Sequence, residues 1–200
     1  RYSESGDHLI FEPLPPRNRY RLTGLLNHVL NLRFKRLIDD PSLTSLRLKR
    51  RWLREVRPKQ WLFESILTQP FPKSRFIYRI LSAAHDRRLG VSKEIPDLFD
   101  RYKPSMMFAT NPTVMLEHDF LKYAKRTGVP TVGMIHSWDD LTTEGRIVVP
   151  VDRYFVWNEL MKGELIKLHG ASEEQISVTG IPQFDPYADA VSPSDKEQFL

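Results

Sequence analysis

An α/β fold, with a parallel sheet flanked by helices, is what the second half of this sequence predicts, on three observations. Four short apolar runs, residues 105–109, 131–135, 153–157 and 176–179, begin about 25 residues apart. Asn111 and Asn158 each stand where a helix N-cap would follow a strand, the first with Pro112 at the next position. Gly128 and Gly170 close the segments that follow them, as glycine does just past a helix end. Strand, helix and parallel strand at this period make right-handed βαβ units.

The elements follow in chain order. Residues 7–14 carry an apolar centre, Leu9-Ile10-Phe11, ended by Pro13, Pro15 and Pro16, and read as one short strand and a loop. Residues 20–38 place Leu22, Leu25, Leu26, Val29, Leu30, Phe34, Leu37 and Ile38 mostly three and four apart, a helical pattern stopped by Asp39-Asp40-Pro41. A second helix starts at Ser42 or Thr44 and runs to about Val56, ended by Pro58. Residues 60–67 and 74–89 read as two more, the last closed by Gly90. In the α/β half, a helix from Asn111 to about Thr127 is expected to bury Leu116, Phe120, Tyr123 and Ala124. Residues 147–149 read as a short extra strand, and Ser172 with Gln175 resembles a capping box. On the sheet, Met107, Val132, Met134 and Phe155 are expected to be buried. Three prolines then break the rhythm, so residues 180–192 read as a linker and 194–200 as the start of a further element. The chain begins at Arg1 and stops just after that start, which reads as a piece of a longer protein.

Composition narrows the function. With 200 residues, 40% of them hydrophobic, the chain can build one ordinary core. It contains no cysteine, which excludes disulfides, a thiolate nucleophile and a cysteine-ligated metal, and fits a reducing, cytoplasmic setting. No apolar run reaches the roughly 18–20 residues that span a bilayer, and no signal-peptide pattern is present. The charge is uneven: residues 1–100 hold 20 Lys and Arg against 11 Asp and Glu, and residues 101–200 hold 10 against 14. The excess concentrates in residues 17–59, where 13 basic side chains meet only Asp39, Asp40 and Glu55. Such asymmetry points to an anionic partner. Trp52, Trp61, Phe63 and Phe71 interleave with the cations, which suits a membrane interface contacted by Arg47, Arg50, Arg51 and Arg54. Nucleic acid would use the same ingredients, but no recognised nucleic-acid motif is present, and it ranks below membrane.

The candidate site follows the 131–135 strand. There the sequence turns polar: His136-Ser137-Trp138-Asp139-Asp140-Leu141-Thr142. In open parallel sheets, ligands bind outside the carboxyl ends of strands. The alternative is an ordinary capped loop. Asp139 or His136 could take a proton from an acceptor hydroxyl, or Asp139 could cap its own loop. Trp138 could stack on a sugar or simply pack. Asn111 lies beside backbone N–H groups that could hold an anion, or it only caps. Asp139 and Asp140 as a metal pair are disfavoured, because adjacent residues on an extended chain point apart.

The run from Val151-Asp152-Arg153-Tyr154-Phe155-Val156-Trp157-Asn158 to Gly180-Ile181-Pro182-Gln183-Phe184-Asp185 resembles the end of the N-terminal domain of GT-B-fold glycosyltransferases. The related CDP-glycerol glycerophosphotransferases and UDP-sugar 2-epimerases share that layout. The run from His136 to Thr142 resembles a Ser-Trp-Asp-Asn-Leu-Thr run of bacterial surface-carbohydrate transferases, with Asp140 standing where Asn is expected. The resemblance covers roughly residues 102–185. It implies one Rossmann-like half of a two-domain GT-B architecture, with residues 1–180 as the acceptor-side domain. Residues 181–200 would then be the linker and start of a C-terminal nucleotide-sugar domain. It implies transfer of a sugar from a nucleotide-sugar donor to a glycan or lipid-linked acceptor in surface polysaccharide synthesis, at the inner membrane face. Neither metal nor cofactor would be required, and this stretch alone would be inactive. Asp139 and His136 would be catalytic, and Asn111, Ser137, Trp138, Asp140, Thr142 and Gly180 would bind substrate. Two alternatives stay open: a polyol-phosphate transferase or sugar epimerase of the same fold, and a non-catalytic basic α/β module that binds RNA or anionic lipid.

Overall fold

A computed structural model describes residues 21–38, 43–68, 74–88, 90–114 and 117–185. The strand expected in residues 7–14, the Asp39-Asp40-Pro41 stop, Leu116 and the tail beyond residue 185 lie outside the described residues.

Four helices form an N-terminal layer: α1 (Arg21–Leu37), α2 (Thr44–Val56), α3 (Pro58–Thr68) and α4 (Arg75–Arg88). Helix α1 packs on α3 and α4, and α2 packs on α3. The periodic apolar positions Leu30 and Phe34, with Ile38 just past the helix, meet Leu46 of α2 and Tyr78 of α4 in one core cluster. Pro58 opens α3 instead of only ending α2, since the first turn of a helix does not need its N–H. A fifth helix, α5 (Glu94–Tyr102), was not legible in the sequence. Its Pro96 masks the pattern, yet it sits in the first turn, where proline is tolerated. Ile95 of α5 is fully buried, and the helix packs on α6 (His118–Thr127).

The second half forms a four-stranded parallel sheet, as the spacing predicts. Strands β1 (Met107–Ala109), β2 (Thr131–Met134), β3 (Arg153–Val156) and β4 (Ile176–Val178) lie in the order β1-β2-β3-β4. Ala109 pairs with Gly133, Gly133 with Tyr154, and Tyr154 with Ile176. Helix α6 packs on β1 and β2, and α7 (Glu159–Glu164) packs on β3 and β4. Asn158 caps α7 as expected, its Oδ1 accepting the Met161 N–H at 3.0 Å. The helix continues through a wide turn to His169 before Gly170 ends it at φ 74°. The capping box of Ser172 and Gln175 is also present.

Strand order that advances in one direction, with right-handed crossovers, puts every crossover on one face of the sheet. The burial pattern agrees. Ala109, Thr131, Ile135, Tyr154, Val156 and Ile176 are buried beneath the crossovers. On the other face Phe108 is 42% exposed, and Val132, Met134 and Phe155 are only half-buried. Phe108 and Phe155 lie 6.5 Å apart, centroid to centroid. The expectation that Met107, Val132, Met134 and Phe155 are fully buried is therefore corrected. Three lie half-buried on the face opposite the crossovers, and Met107 is half-buried on the edge strand.

Residues 147–149 form no strand. They belong to the β2–β3 crossover, and Val148 and Val149 bury their side chains in the core without strand pairing. A three-residue apolar run reads the same either way. That crossover also holds the two layers together. Arg146 is buried and grips the Asp86 carboxylate with both terminal nitrogens, Nη1 on Oδ2 and Nη2 on Oδ1 at 2.6 Å. The same Nη2 donates to Asn27 Oδ1 at 3.0 Å. Lys49 of α2 pairs with Glu144 at 3.4 Å, and the Phe34 ring lies 5.1 Å from that of His169.

Candidate functional site

The carboxyl ends of β1 and β2 meet through one carboxylate. Asp140 Oδ2 accepts from Asn111 Nδ2 at 3.1 Å and from the Ser137 N–H at 3.0 Å. Glycine at 133 makes this approach possible: a Cβ there would meet Pro112 Cγ at 3.0 Å and Val151 Cγ2 at 3.1 Å. Asp140 is buried, and burial pushes its carboxyl above the usual range, with the charges of Asp139 and Glu144 adding to the rise.

Asp139 lies in a different environment. Its Oδ1 accepts from Ser137 Oγ at 2.7 Å and its Oδ2 from Thr143 Oγ1 at 2.8 Å. Its backbone carbonyl accepts the N–H groups of Thr142 and Thr143 at 3.1 and 2.8 Å. Burial pushes this carboxyl up, but the hydroxyl and backbone hydrogen bonds outweigh it and hold the group below its ordinary value. Asp139 thus braces its own turn, and a carboxylate held low is a weak proton acceptor. Thr142 is buried and donates its hydroxyl to the Asp139 carbonyl at 3.1 Å.

His136 is exposed and Trp138 is 60% exposed. Both stand on the outer surface of the braced loop. Gly180, at φ 80°, follows β4 on the same carboxyl edge, two strands from β2. The fold therefore brings Asn111, Ser137, Asp139, Asp140 and Thr142 into one hydrogen-bonded unit, offers His136 and Trp138 to solvent, and sets Gly180 further along the edge. Among the described residues no three His, Cys, Asp or Glu side chains converge where they could hold a metal ion.

One expectation at Asn111 is corrected. The helix does not begin there. Residues 111–114 form a turn in which Asn111 Oδ1 accepts the Thr113 N–H at 3.1 Å, and α6 starts only at His118. The neighbouring amides are not open to an anion, because the N–H groups of Thr110 and Asn111 both donate to the Glu117 carboxylate at 3.2 Å. Thr110 Oγ1 adds a bond of 2.6 Å to the same group. Sequence reasoning missed Glu117 and Thr143. The spacing of Thr143 four residues after Asp139, one helical turn, is a usable signal, whereas Glu117 carries none. Arg50 is also corrected as a membrane-facing residue. It is half-buried, lines a cavity between helices and donates to the Lys35 carbonyl, whereas Arg47, Arg51 and Arg54 are exposed.

The loop rests on His169. Its Nε2 donates to the Leu141 carbonyl at 2.8 Å, so Nδ1 is left to accept the Ile147 N–H at 3.5 Å. Burial pushes this imidazole down to about 4 from an ordinary 6.5. The folded state then refuses a proton that the unfolded state takes. Stability at or above pH 7 is unaffected, falls as pH drops through 6.5, and levels off below 4. The full loss is about 3 kcal/mol. Urea unfolding at pH 7, 5.5 and 4 is expected to show this slope, and a His169→Gln variant is expected to lack it. Equal slopes in the two proteins would remove His169 as its source.

No protein-family model, no curated protein and no solved structure matches this chain. The fold alone defines the class: an α/β protein with a parallel sheet flanked by helices. Among the described residues, no helix is long and apolar enough to cross a membrane.

Proposed function

We propose that the chain is the acceptor-side, Rossmann-like half of a GT-B-type glycosyltransferase, moving a sugar from a nucleotide-sugar donor to a glycan or lipid-linked acceptor. The observation that carries this reading is the polar unit at the carboxyl ends of β1 and β2. Asp140 ties the two strand ends together, and His136 and Trp138 stand exposed on the outer side of the loop it anchors. Parallel sheets bind ligands at that edge, and the loop is the stretch that resembles surface-carbohydrate transferases. In this reading His136 takes the acceptor hydroxyl proton as the glycosidic bond forms, and Trp138 offers its face to a sugar ring. Asp139 and Asp140 hold the loop so that neither group has to be ordered during the reaction. Donor contacts and stabilisation of the leaving diphosphate fall to a second domain. A donor screen with the intact protein, scored by release of nucleoside diphosphate, tests the reading. Turnover of one nucleotide sugar in the presence of a glycan or lipid acceptor supports it. Binding of RNA with no turnover of any donor would favour a non-catalytic module instead.

The acceptor side of such an enzyme would work at an anionic membrane surface. Arg47, Arg51 and Arg54 recur at helical spacing along α2, beside exposed Leu48, Trp52 and Val56, and α3 exposes Leu62, Phe63 and Ile66. Each cation near an anionic surface contributes about 1 kcal/mol, and the attraction fades within a Debye length. Co-sedimentation with phosphatidylserine vesicles is expected at low salt. It should weaken at physiological salt and drop at least tenfold in Arg47→Ala/Arg51→Ala/Arg54→Ala. Equal pelleting with neutral vesicles would refute the membrane contact.

A further inference from the structure

We propose that the cavity enclosed by α1, α2 and α3 is a binding site for a phosphate or diphosphate ester, a role independent of the transfer reaction above. The cavity holds about 780 Å³. Arg33, Lys35, Arg36, Lys49, Arg50 and Arg57 line it, and Glu64 is the one acidic side chain lining it among the described residues.

The sequence builds this arrangement by its spacing. Arg33 and Arg36 lie three apart on α1, and Lys49 and Arg50 sit on the α2 face beyond the buried Leu46, so both helices turn cations toward the same space. Arg33 is the decisive residue. It is only 6% exposed, yet its Nε and Nη2 have no hydrogen-bond partner among the described residues. Guanidinium nitrogens taken out of water without an acceptor are disfavoured, and an oxyanion removes the defect by accepting from both at once.

The surrounding cations add to the demand. Burial and then the neighbouring Lys49 hold the Lys35 ammonium below its ordinary value. Burial, then Arg50 and Arg33, do the same to Arg36. Arg36 donates to Ser65 Oγ at 3.1 Å and Arg50 to the Lys35 carbonyl. Glu64 in the lining and Glu144, which pairs with Lys49, stand against six cations, an excess that suits the two or three negative charges of a phosphorylated ligand. Trp52 and Trp61 also line the cavity, with Arg57 and Arg54 over their rings at 5.5 and 5.6 Å. With Leu46 and Leu53 they give an organic substituent an apolar wall.

Two sources would present this chemistry, a soluble nucleoside diphosphate and the phosphomonoester headgroup of a lipid. The test is the melting temperature of the intact protein during titration with pyrophosphate, with sulfate at matched ionic strength as control. Pyrophosphate is expected to raise it saturably, by about 3 °C or more beyond sulfate. Arg33→Met is expected to melt higher than the parent without ligand, because two unsatisfied buried donors are gone, and to lose the pyrophosphate response. Arg57→Gln, at an exposed position that folding tolerates, is expected to weaken the response at least threefold in midpoint concentration. UDP and monomeric dihexanoyl phosphatidic acid then separate the sources, the ligand with the lower midpoint marking which is used. If pyrophosphate does no more than sulfate, or if Arg33→Met responds like the parent, the cavity is not an anion site.

Discussion

Replacing Arg146 by Ala is expected to destabilise the fold by about 3–5 kcal/mol, the usual effect of breaking a buried ion pair by removing one partner. Arg146 is buried and makes a two-pronged contact with Asp86, while its Nη2 also reaches Asn27. Its loss takes the guanidinium from the largely covered Asp86 carboxylate, with the His85 ring still at 3.1 Å, and leaves a space between α1, α4 and the β2–β3 crossover. Arg146→Lys is expected to recover only part of the loss, because an ammonium cannot reproduce the fork. Arg146→Met combined with Asp86→Leu is expected to lie closer to the parent than Arg146→Ala, since no charge is then left unpaired. Urea denaturation at pH 7 measures all three. A loss below about 1 kcal/mol for Arg146→Ala would place the pair among weak surface contacts instead.

The second large effect is on turnover. On the proposed reading, His136→Ala in the intact protein is expected to lower sugar transfer by about 10²-fold or more, the usual contribution of a positioned general base. Its melting temperature should not change, because the side chain is exposed. Asp139→Ala is expected to behave differently. It removes the acceptor for Ser137 Oγ and Thr143 Oγ1, so stability and turnover should fall together, with stability down by about 1–3 kcal/mol. A folded Asp139→Ala enzyme with lost turnover, beside an active His136→Ala enzyme, would reverse the two roles. Normal turnover in both would leave this loop a structural feature.

Much of the sheet was legible because strand, helix and glycine recur at one period, and period is a local property of sequence. Asn158, Gly128 and Gly170 act where their chemistry predicts. At Asn111 the local pattern misleads, because a capping residue looks the same whether it caps a helix or a four-residue turn. What decides between them is Glu117, which takes the amides of residues 110 and 111 through a contact no local pattern announces. The half-buried sheet face was hidden for another reason. Val132, Met134 and Phe155 are apolar, but whether a strand is covered once or twice depends on the direction in which successive strands are added. At the candidate site, clustering of polar residues after β2 was visible. The division between braced Asp139 and buried Asp140 was not, since it depends on which hydroxyl and amide groups the fold brings within reach.

The crossover from β2 to β3 serves both the candidate site and the union of the two layers. Residues 136–142 carry the candidate site, the Leu141 carbonyl among them reaches His169, and a few positions later Glu144 and Arg146 reach α2 and α4. The loop that carries residues 136–142 is therefore seated on the helical layer as well as on the sheet, so any ligand binding there would bind a surface whose position the helices help to set. Substitutions at Asn27, Phe34 or Asp86, none of them on the sheet, would act on the same crossover.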